Sequence, residues 1–469
     1  MLKVGRRFTI LFLAIFLLSL GLRGGMIYFN RQANDDHMQV ISLILESGTL
    51  PDKSDCWECF QPKLFHYTAA NILQNSGADK LSQDSMILAV ELINLVAGMI
   101  TLVFIGLLIT RLPVKSETLK LLSFGLIALN PGLIGINSQA TNDTFVILFS
   151  TLALYYTILF LQEQKLLTFL LTLLFSLLCI ASKANGWVTA IAITLALLIK
   201  AWTQKKQSIV PWLTGFVFIT AVLVFSFINP LNQYVLNLQK FGTPLTMNVD
   251  PKSRPSFITK TQKLCGIRSV LDAYFTFKFA SLIQHPRIEY TGDVRPDNCT
   301  SLWAVLYGRA LSIHYDNFPP SWSTSGDQGF NLTRAIFILE LPPTLLLLFG
   351  LVLESVACLK SILKRDPVPG STTHCGLIAI TLIGFIVFLC LFLFSFINLA
   401  IMKAIFIFPA LLTFALLFMC AVEFIDAHLK NRFRWIRPVF VAWILILLVL
   451  NAADILTMIQ LIASRTVGL

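Results

Sequence analysis

Residues 6–37 read Arg6-Arg7-Phe8-Thr9-Ile10-Leu11-Phe12-Leu13-Ala14-Ile15-Phe16-Leu17-Leu18-Ser19-Leu20-Gly21-Leu22-Arg23-Gly24-Gly25-Met26-Ile27-Tyr28-Phe29-Asn30-Arg31-Gln32-Ala33-Asn34-Asp35-Asp36-His37. From 8 to 28 the stretch is apolar enough, and long enough, to cross ~30 Å of hydrocarbon as a helix. Lys3, Arg6 and Arg7 precede it, as they would in a secretory signal peptide. The run is too long for one and lacks a small-residue cleavage site before Asn34, so it reads as a membrane anchor. Asp35 and Asp36 follow where the helix leaves the membrane. Two adjacent carboxylates there are costly unless solvated or used.

The rest of the chain repeats that apolar pattern. Hydrophobic residues make up 56% and charged residues 13%, far from a soluble balance. Apolar windows recur at 8–28, 85–110, 119–137, 143–161, 166–182, 187–200, 209–229, 334–359, 376–396, 404–425 and 438–457, which predicts about eleven spans. Basic residues cluster in alternate short loops: Lys3/Arg6/Arg7, Arg111/Lys115/Lys120, Lys200/Lys205/Lys206, Lys360/Lys364/Arg365 and Lys430/Arg432/Arg434/Arg437. That side is predicted to be cytoplasmic, with the amino terminus inside and the carboxyl terminus outside. The net charge of +11 is therefore topological. Its bases are dispersed among loops, so the pattern speaks against nucleic acid as a partner.

Two segments are too long for turns, 29–84 and 230–333, and both fall outside on this topology. The expected organisation is a transmembrane module over 1–229 with a first outer loop at 29–84, a large outer loop at 230–333, and carboxyl-terminal spans over 334–469. Met38, Ile41 and Leu45 form one helical stripe, with Gly48 and Pro51 as stops, predicting an interfacial helix whose first turn carries both acids. A second helix is expected to start at Pro62 and to carry Lys63, His66 and Tyr67 on one face. Acids there also suit simple capping, which needs only one of Asn34, Asp35 and Asp36.

Of nine cysteines, Cys56, Cys59, Cys265 and Cys299 lie in the outer loops, where three disulfide connectivities are open; Cys56-Trp57-Glu58-Cys59 is also half of a zinc pattern. Asn142, Asn298 and Asn331 begin glycosylation triplets. Glu91, Asp143, Lys183, Glu340 and Lys403 map to the outer ends of spans. Single charges there often snorkel to the interface; five on one side predict a polar chamber opening outward.

These residues, taken in order, resemble the GT-C superfamily of polytopic glycosyltransferases, nearest the protein O-mannosyltransferase and lipid A aminoarabinose transferase branch, over about 1–410. The acid pair resembles the family's acidic pair in its first outer loop. Gln61-Pro62-Lys63-Leu64-Phe65-His66-Tyr67 resembles the Pro-Pro-Leu-aromatic segment that follows, with Lys63 in place of the second proline. Asn142-Asp143 resembles the second loop's Asp, and Ser182-Lys183-Ala184-Asn185-Gly186 the Thr-Lys-x-x-Gly turn. Lys240-Phe241-Gly242-Thr243-Pro244-Leu245 resembles Phe-Gly-x-Pro, and Lys403-Ala404-Ile405-Phe406-Ile407-Phe408-Pro409-Ala410 resembles Lys-Ala-Arg-Tyr-x-x-Pro-Ala without its Arg and Tyr.

The resemblance implies an all-α, GT-C-type membrane bundle that transfers sugar from a polyprenyl-phosphate donor to a lipid, glycan or protein acceptor. It implies an outer-face site, in a bacterial inner membrane facing the periplasm or in an endoplasmic reticulum membrane facing the lumen, and inverting direct displacement. Asp35 or Asp36 is then the general base, with Asp143, Asn142 and His37 at the acceptor side. Lys63, His66, Lys183, Arg309 and Lys403 are the candidates for the donor phosphate. No cofactor is assigned with certainty; a divalent metal is left open, with Asp36 and His37 as its expected ligands. The span count equally suits a transporter or a lipid-linked saccharide flippase or polymerase, although no inverted repeat of the transporter kind is visible.

Overall fold

The structure is a computed structural model that describes residues 5–30, 36–112, 114–203, 209–247, 270–288, 297–316, 327–365, 376–395, 402–429 and 436–466. It is helical throughout these residues. In the first half, α1 (Arg6–Phe29) leads to two short helices, α2 (His37–Ser47) and α3 (Leu64–Ser76), and then to α4 (Gln83–Arg111). Helices α5 (Glu117–Ala128), α6 (Pro131–Asn137), α7 (Asp143–Glu163), α8 (Leu166–Ser182), α9 (Gly186–Thr203) and α10 (Val210–Ile228) complete the first bundle. The large loop contributes α11 (Tyr234–Phe241), α12 (Val270–Phe275), α13 (Phe279–Gln284) and α14 (Leu302–Leu311); α15 (Asp327–Lys364), α16 (Leu377–Ser395), α17 (Leu411–Leu429) and α18 (Ile436–Thr466) follow.

Nine of the described helices are long and apolar enough to cross a membrane. The bent pair α5–α6, with a 51° break, makes ten if counted as one span. The 17-residue α8 falls short of that length, so the described residues give nine or ten spans where the hydropathy pattern predicts about eleven. The bend has a local cause. Pro131 opens α6 without an N–H to continue α5, and Asn130 caps the new start by accepting from Leu133 N at 2.8 Å. In α15, Pro342 and Pro343 interrupt a 38-residue helix. The carbonyl of Leu339, which loses the N–H of Pro343, accepts instead from Trp443 Nε1 at 2.9 Å.

Helix α7 runs through the centre of the bundle, its residues almost all buried, and α10 keeps a largely exposed apolar surface, as expected of a lipid-facing span. The described parts of both long loops are packed onto the bundle. Ile41, Phe65 and Leu73 of α2 and α3 share a core with Val90, Phe145 and Leu148. Leu302, Val305 and Tyr315 share another with Phe337, Leu389 and Met402.

Several local expectations change. Helix α3 starts at Leu64 rather than Pro62. Lys63 and His66 are fully buried, whereas Tyr67 is 45% exposed. Lys63 precedes the helix with non-helical φ/ψ, so helical spacing does not place the three on one face. Asp36 is the N-cap of α2 in the left-handed region, without a side-chain capping bond; it stands outside the first turn, and Asp35 lies outside the described residues. Cys56 and Cys59 form a disulfide, which leaves no thiolate pair for zinc. Cys299 is buried and Cys265 lies outside the described residues. Asn142 is fully buried and closed to glycosylation.

Candidate active site

The turn from 138 to 143 carries the acid that matters most, and the spans hold it in place. Asn94 on α4 donates from Nδ2 to the carbonyls of Gln139 (2.6 Å) and Thr141 (2.8 Å). Asn30, at the end of α1, donates to Ser138 O at 3.3 Å and also to the Glu91 carboxylate. Deeper in α1, Arg23 is fully buried and reaches Asn137 Oδ1 and Ala128 O, each at 3.1 Å. A buried amide or carbonyl left unpaired costs roughly 1–3 kcal/mol, so these bonds fix the turn strongly.

Asp143 starts α7. Its Oδ1 lies 2.6 Å from Lys183 Nζ, with the two side chains 3% and 12% exposed. Lys183 caps the end of α8 and its ammonium stands 5.5 Å from the centroid of the Phe406 ring. Thr141 Oγ1 donates to Asp143 Oδ2 at 3.0 Å and lies 3.4 Å from His37 Nε2. His37 Nδ1 faces His66 Nε2 at 3.0 Å. Burial, followed by His37, Lys63 and Lys183, holds His66 well below the usual histidine range. Asn142 does not cap α7 with its side chain; it donates to Gln61 Oε1 and to Ser182 O, joining the first loop to the end of α8.

Asp143 opens onto a cavity of about 100 Å³. Opposite it stand Arg309, Asp316, Ser312 and Lys403, with Gln139 and Thr141 alongside and α6 forming one wall. Arg309 is buried at the end of α14. Its Nε is 2.8 Å from Asp316 Oδ2 and its Nη1 donates to Met402 O at 3.0 Å. The close approach of α14 depends on Gly132, where a Cβ would stand 2.8 Å from the carbonyl oxygens of Arg309 and Ala310. Helix α14 is thus a buried wall of the site.

Of the candidates from sequence, Asp143, Arg309 and Lys403 come together around this cavity; Lys183 joins them through Asp143 and His37 through Thr141. Lys63 and His66 do not line it. Lys63 Nζ is held by its own loop, at Gln61 O (2.7 Å) and Cys59 O. Asp36 is exposed at the start of α2. Of the five span-end charges, Glu91 and Glu340 turn elsewhere, Glu91 to Asn30 and Glu340 to Asn451, because each lies inside its helix rather than at its end. The described residues do not fit a metal centre: no three His, Cys, Asp or Glu side chains gather, and both ring nitrogens of His37 face Thr141 and His66. Arg23 is missing from the sequence-based candidates, although an arginine inside a span is itself a signal. Asp454, a carboxylate inside the last span, carries the same signal and is missing as well, whereas Gln139, Thr141 and Asp316 carry none.

The buried Lys63 gives a test in pH. Burial pushes its pKa from 10.5 down to about 7, against the pull of Glu58, Asp52 and Asp55. Above pH 7 the folded protein has released this proton while the unfolded chain still holds it. Stability is therefore expected to rise with pH from about 7 to 10, by up to about 1.4 kcal/mol per pH unit, and to gain nothing from this group below pH 7. Melting curves of the wild type and Lys63→Met between pH 7 and 9 check it; the variant is expected to lack this rise, and parallel curves would refute it.

The helix order, the bent α5–α6 pair and the nine long apolar helices among the described residues define an all-helical polytopic fold suited to a membrane. Residues 77–227 match the family model described as dolichyl-phosphate-mannose-protein mannosyltransferase, and together with the fold this match supports placement in the GT-C superfamily. The matched segment runs from the end of α3 to α10 and includes Asp143 and Lys183, but not the acid pair. Among solved structures, the Archaeoglobus fulgidus oligosaccharyltransferase in complex with Zn and sulfate is similar, at 13% identity and a TM-score of 0.50, over 95% of this chain and 53% of that one. ArnT from Cupriavidus metallidurans bound to undecaprenyl phosphate matches at 12% identity and a TM-score of 0.36, over 91% of this chain and 80% of that one. The chain spans about half the length of the archaeal enzyme. No curated protein shows a significant sequence match.

Proposed function

We propose that the chain is a membrane glycosyltransferase that moves a sugar from a polyprenyl-phosphate donor to an acceptor held in this cavity. One observation carries the reading: two carboxylates and two cations from three distant segments, Asp143, Arg309, Asp316 and Lys403, line a single small cavity, and Lys183 stands behind Asp143 as its ion-pair partner. These charges sit at helix ends, α7, α8 and α14, rather than midway along spans, which favours transfer at a membrane surface over transport through the midplane.

In this reading a carboxylate of the Asp35/Asp36 pair takes the proton of the acceptor group, the freed oxygen forms a bond to the anomeric carbon, and the bond from that carbon to the phosphate oxygen breaks. The polyprenyl phosphate leaves with the electron pair, so the anomeric centre inverts and no covalent enzyme intermediate forms. Arg309 and Lys403 meet the charge developing on the phosphate, normally the larger catalytic term. Asp143 orients the acceptor and is itself held by Lys183 and Thr141. The acid pair immediately precedes His37, whose ring reaches Thr141, which supports its place at the cavity mouth. The positive-inside pattern supports a site on the periplasmic or lumenal face.

The test is lipid and product analysis of a strain lacking the gene: a polyprenyl-phosphate sugar is expected to accumulate beside an under-glycosylated product. Complementation with Arg309→Gln is expected to restore roughly 10⁻² to 10⁻³ of the transfer rate, the usual loss for one stabilising donor. No accumulated lipid-linked sugar, or full complementation by Arg309→Gln, would sink the reading.

A further inference from the structure

The segment following α14 is gripped by one side chain of the last helix. Asp454 stands midway along α18 and is fully buried. Its Oδ1 accepts from the Ser312 hydroxyl at 3.0 Å and its Oδ2 from the Ile313 N–H at 2.8 Å. His314 Nε2 lies 3.1 Å from the Asp454 carbonyl oxygen and 2.8 Å from Thr457 Oγ1. Ser312 and Ile313 line the cavity, and the same short segment ends at Asp316, the partner of Arg309.

A buried carboxylate is expensive at this depth, and apolar packing alone would anchor a loop more cheaply. Two donors on one carboxylate, a hydroxyl and a backbone N–H at adjacent residues, set both the position and the direction of the turn. We propose that Asp454 is a positioning residue for the cavity: through Ser312 and Ile313 it fixes the 312–316 turn, so that Asp316 holds Arg309 in the direction that receives a phosphate monoester. Asp454 itself touches no substrate. The inference rests on the reading of Arg309 as the phosphate contact.

The test uses the full chain purified in detergent and undecaprenyl phosphate as the probe, with affinity read by native mass spectrometry and folding by melting temperature. Asp454→Asn is expected to weaken binding roughly 3- to 30-fold, the range of modulation seen for coupled residues outside a site, with a melting temperature within a few degrees of wild type. Arg309→Gln is expected to weaken it as well, and the double variant to bind no more weakly than Arg309→Gln alone, because both changes act through one group. Additive losses, or unchanged affinity in Asp454→Asn beside weakened affinity in Arg309→Gln, would overturn the inference and leave the phosphate reading standing. Unchanged affinity in Arg309→Gln would overturn that reading and this inference with it. Should Asp454→Asn fail to accumulate, Asp454→Glu keeps the charge but displaces it by one methylene and is expected to give the same weakening. Wild-type affinity in Asp454→Glu, or a loss additive with that of Arg309→Gln, would then overturn the inference in the same way.

Discussion

Lys183→Met is expected to abolish transfer and to destabilise the protein by about 3–5 kcal/mol, the cost of leaving one member of a buried ion pair unpaired. The pair is short and enclosed: 2.6 Å between Nζ and Oδ1, with both side chains nearly out of solvent. Among the described residues, Lys183→Met leaves the Asp143 carboxylate with Thr141 Oγ1 as its side-chain donor. Adding Asp143→Asn to Lys183→Met removes the orphaned charge, so stability is expected to recover by at least half while transfer stays lost. Melting temperature and transfer measured on the two single variants and the double variant separate these roles. Equal transfer in wild type and the double variant would show that the pair only holds helices α7 and α8 together.

Asp35→Asn and Asp36→Asn come second in expected effect. The variant that removes the general base is expected to lose about 10²–10⁴ of its transfer rate, the usual contribution of such a group. For Asp36→Asn, folding is expected to be nearly unaffected, because Asp36 is exposed and makes no side-chain capping bond. The two single variants therefore also tell which carboxylate accepts the proton. Transfer near wild-type level in both would remove the acid pair from the mechanism and shift the base role to Asp143.

The membrane architecture is legible in the sequence because hydrocarbon imposes it directly: spans must be apolar over a nearly constant length, and basic loops sort to one side. Gly48 reads as the stop of α2 and it is, in the left-handed conformation that glycine tolerates. The break between α5 and α6 is hidden within one apolar window, since Pro131 interrupts the backbone without interrupting the hydropathy. Tyr67 leaves the face expected for it because Lys63 stands before the helix, where a spacing of 3.6 residues has no force. Glu91 and Glu340 group with the site by depth alone, and short polar partners on neighbouring helices draw them away.

By itself the chain determined that it is a multi-spanning bundle with two substantial loops, and it exposed Asp143, Lys183, Arg309 and Lys403 as charges needing a reason. Which charges meet was decided only by the tertiary structure. Asp143 and Lys183 are 40 residues apart, Arg309 and Met402 are 93 apart, and Asp454 and Ser312 are 142 apart. Hydropathy acts over a whole helix and can be summed along the chain, whereas a hydrogen bond or ion pair acts over about 3–4 Å. Its partners are therefore chosen by how the helices pack.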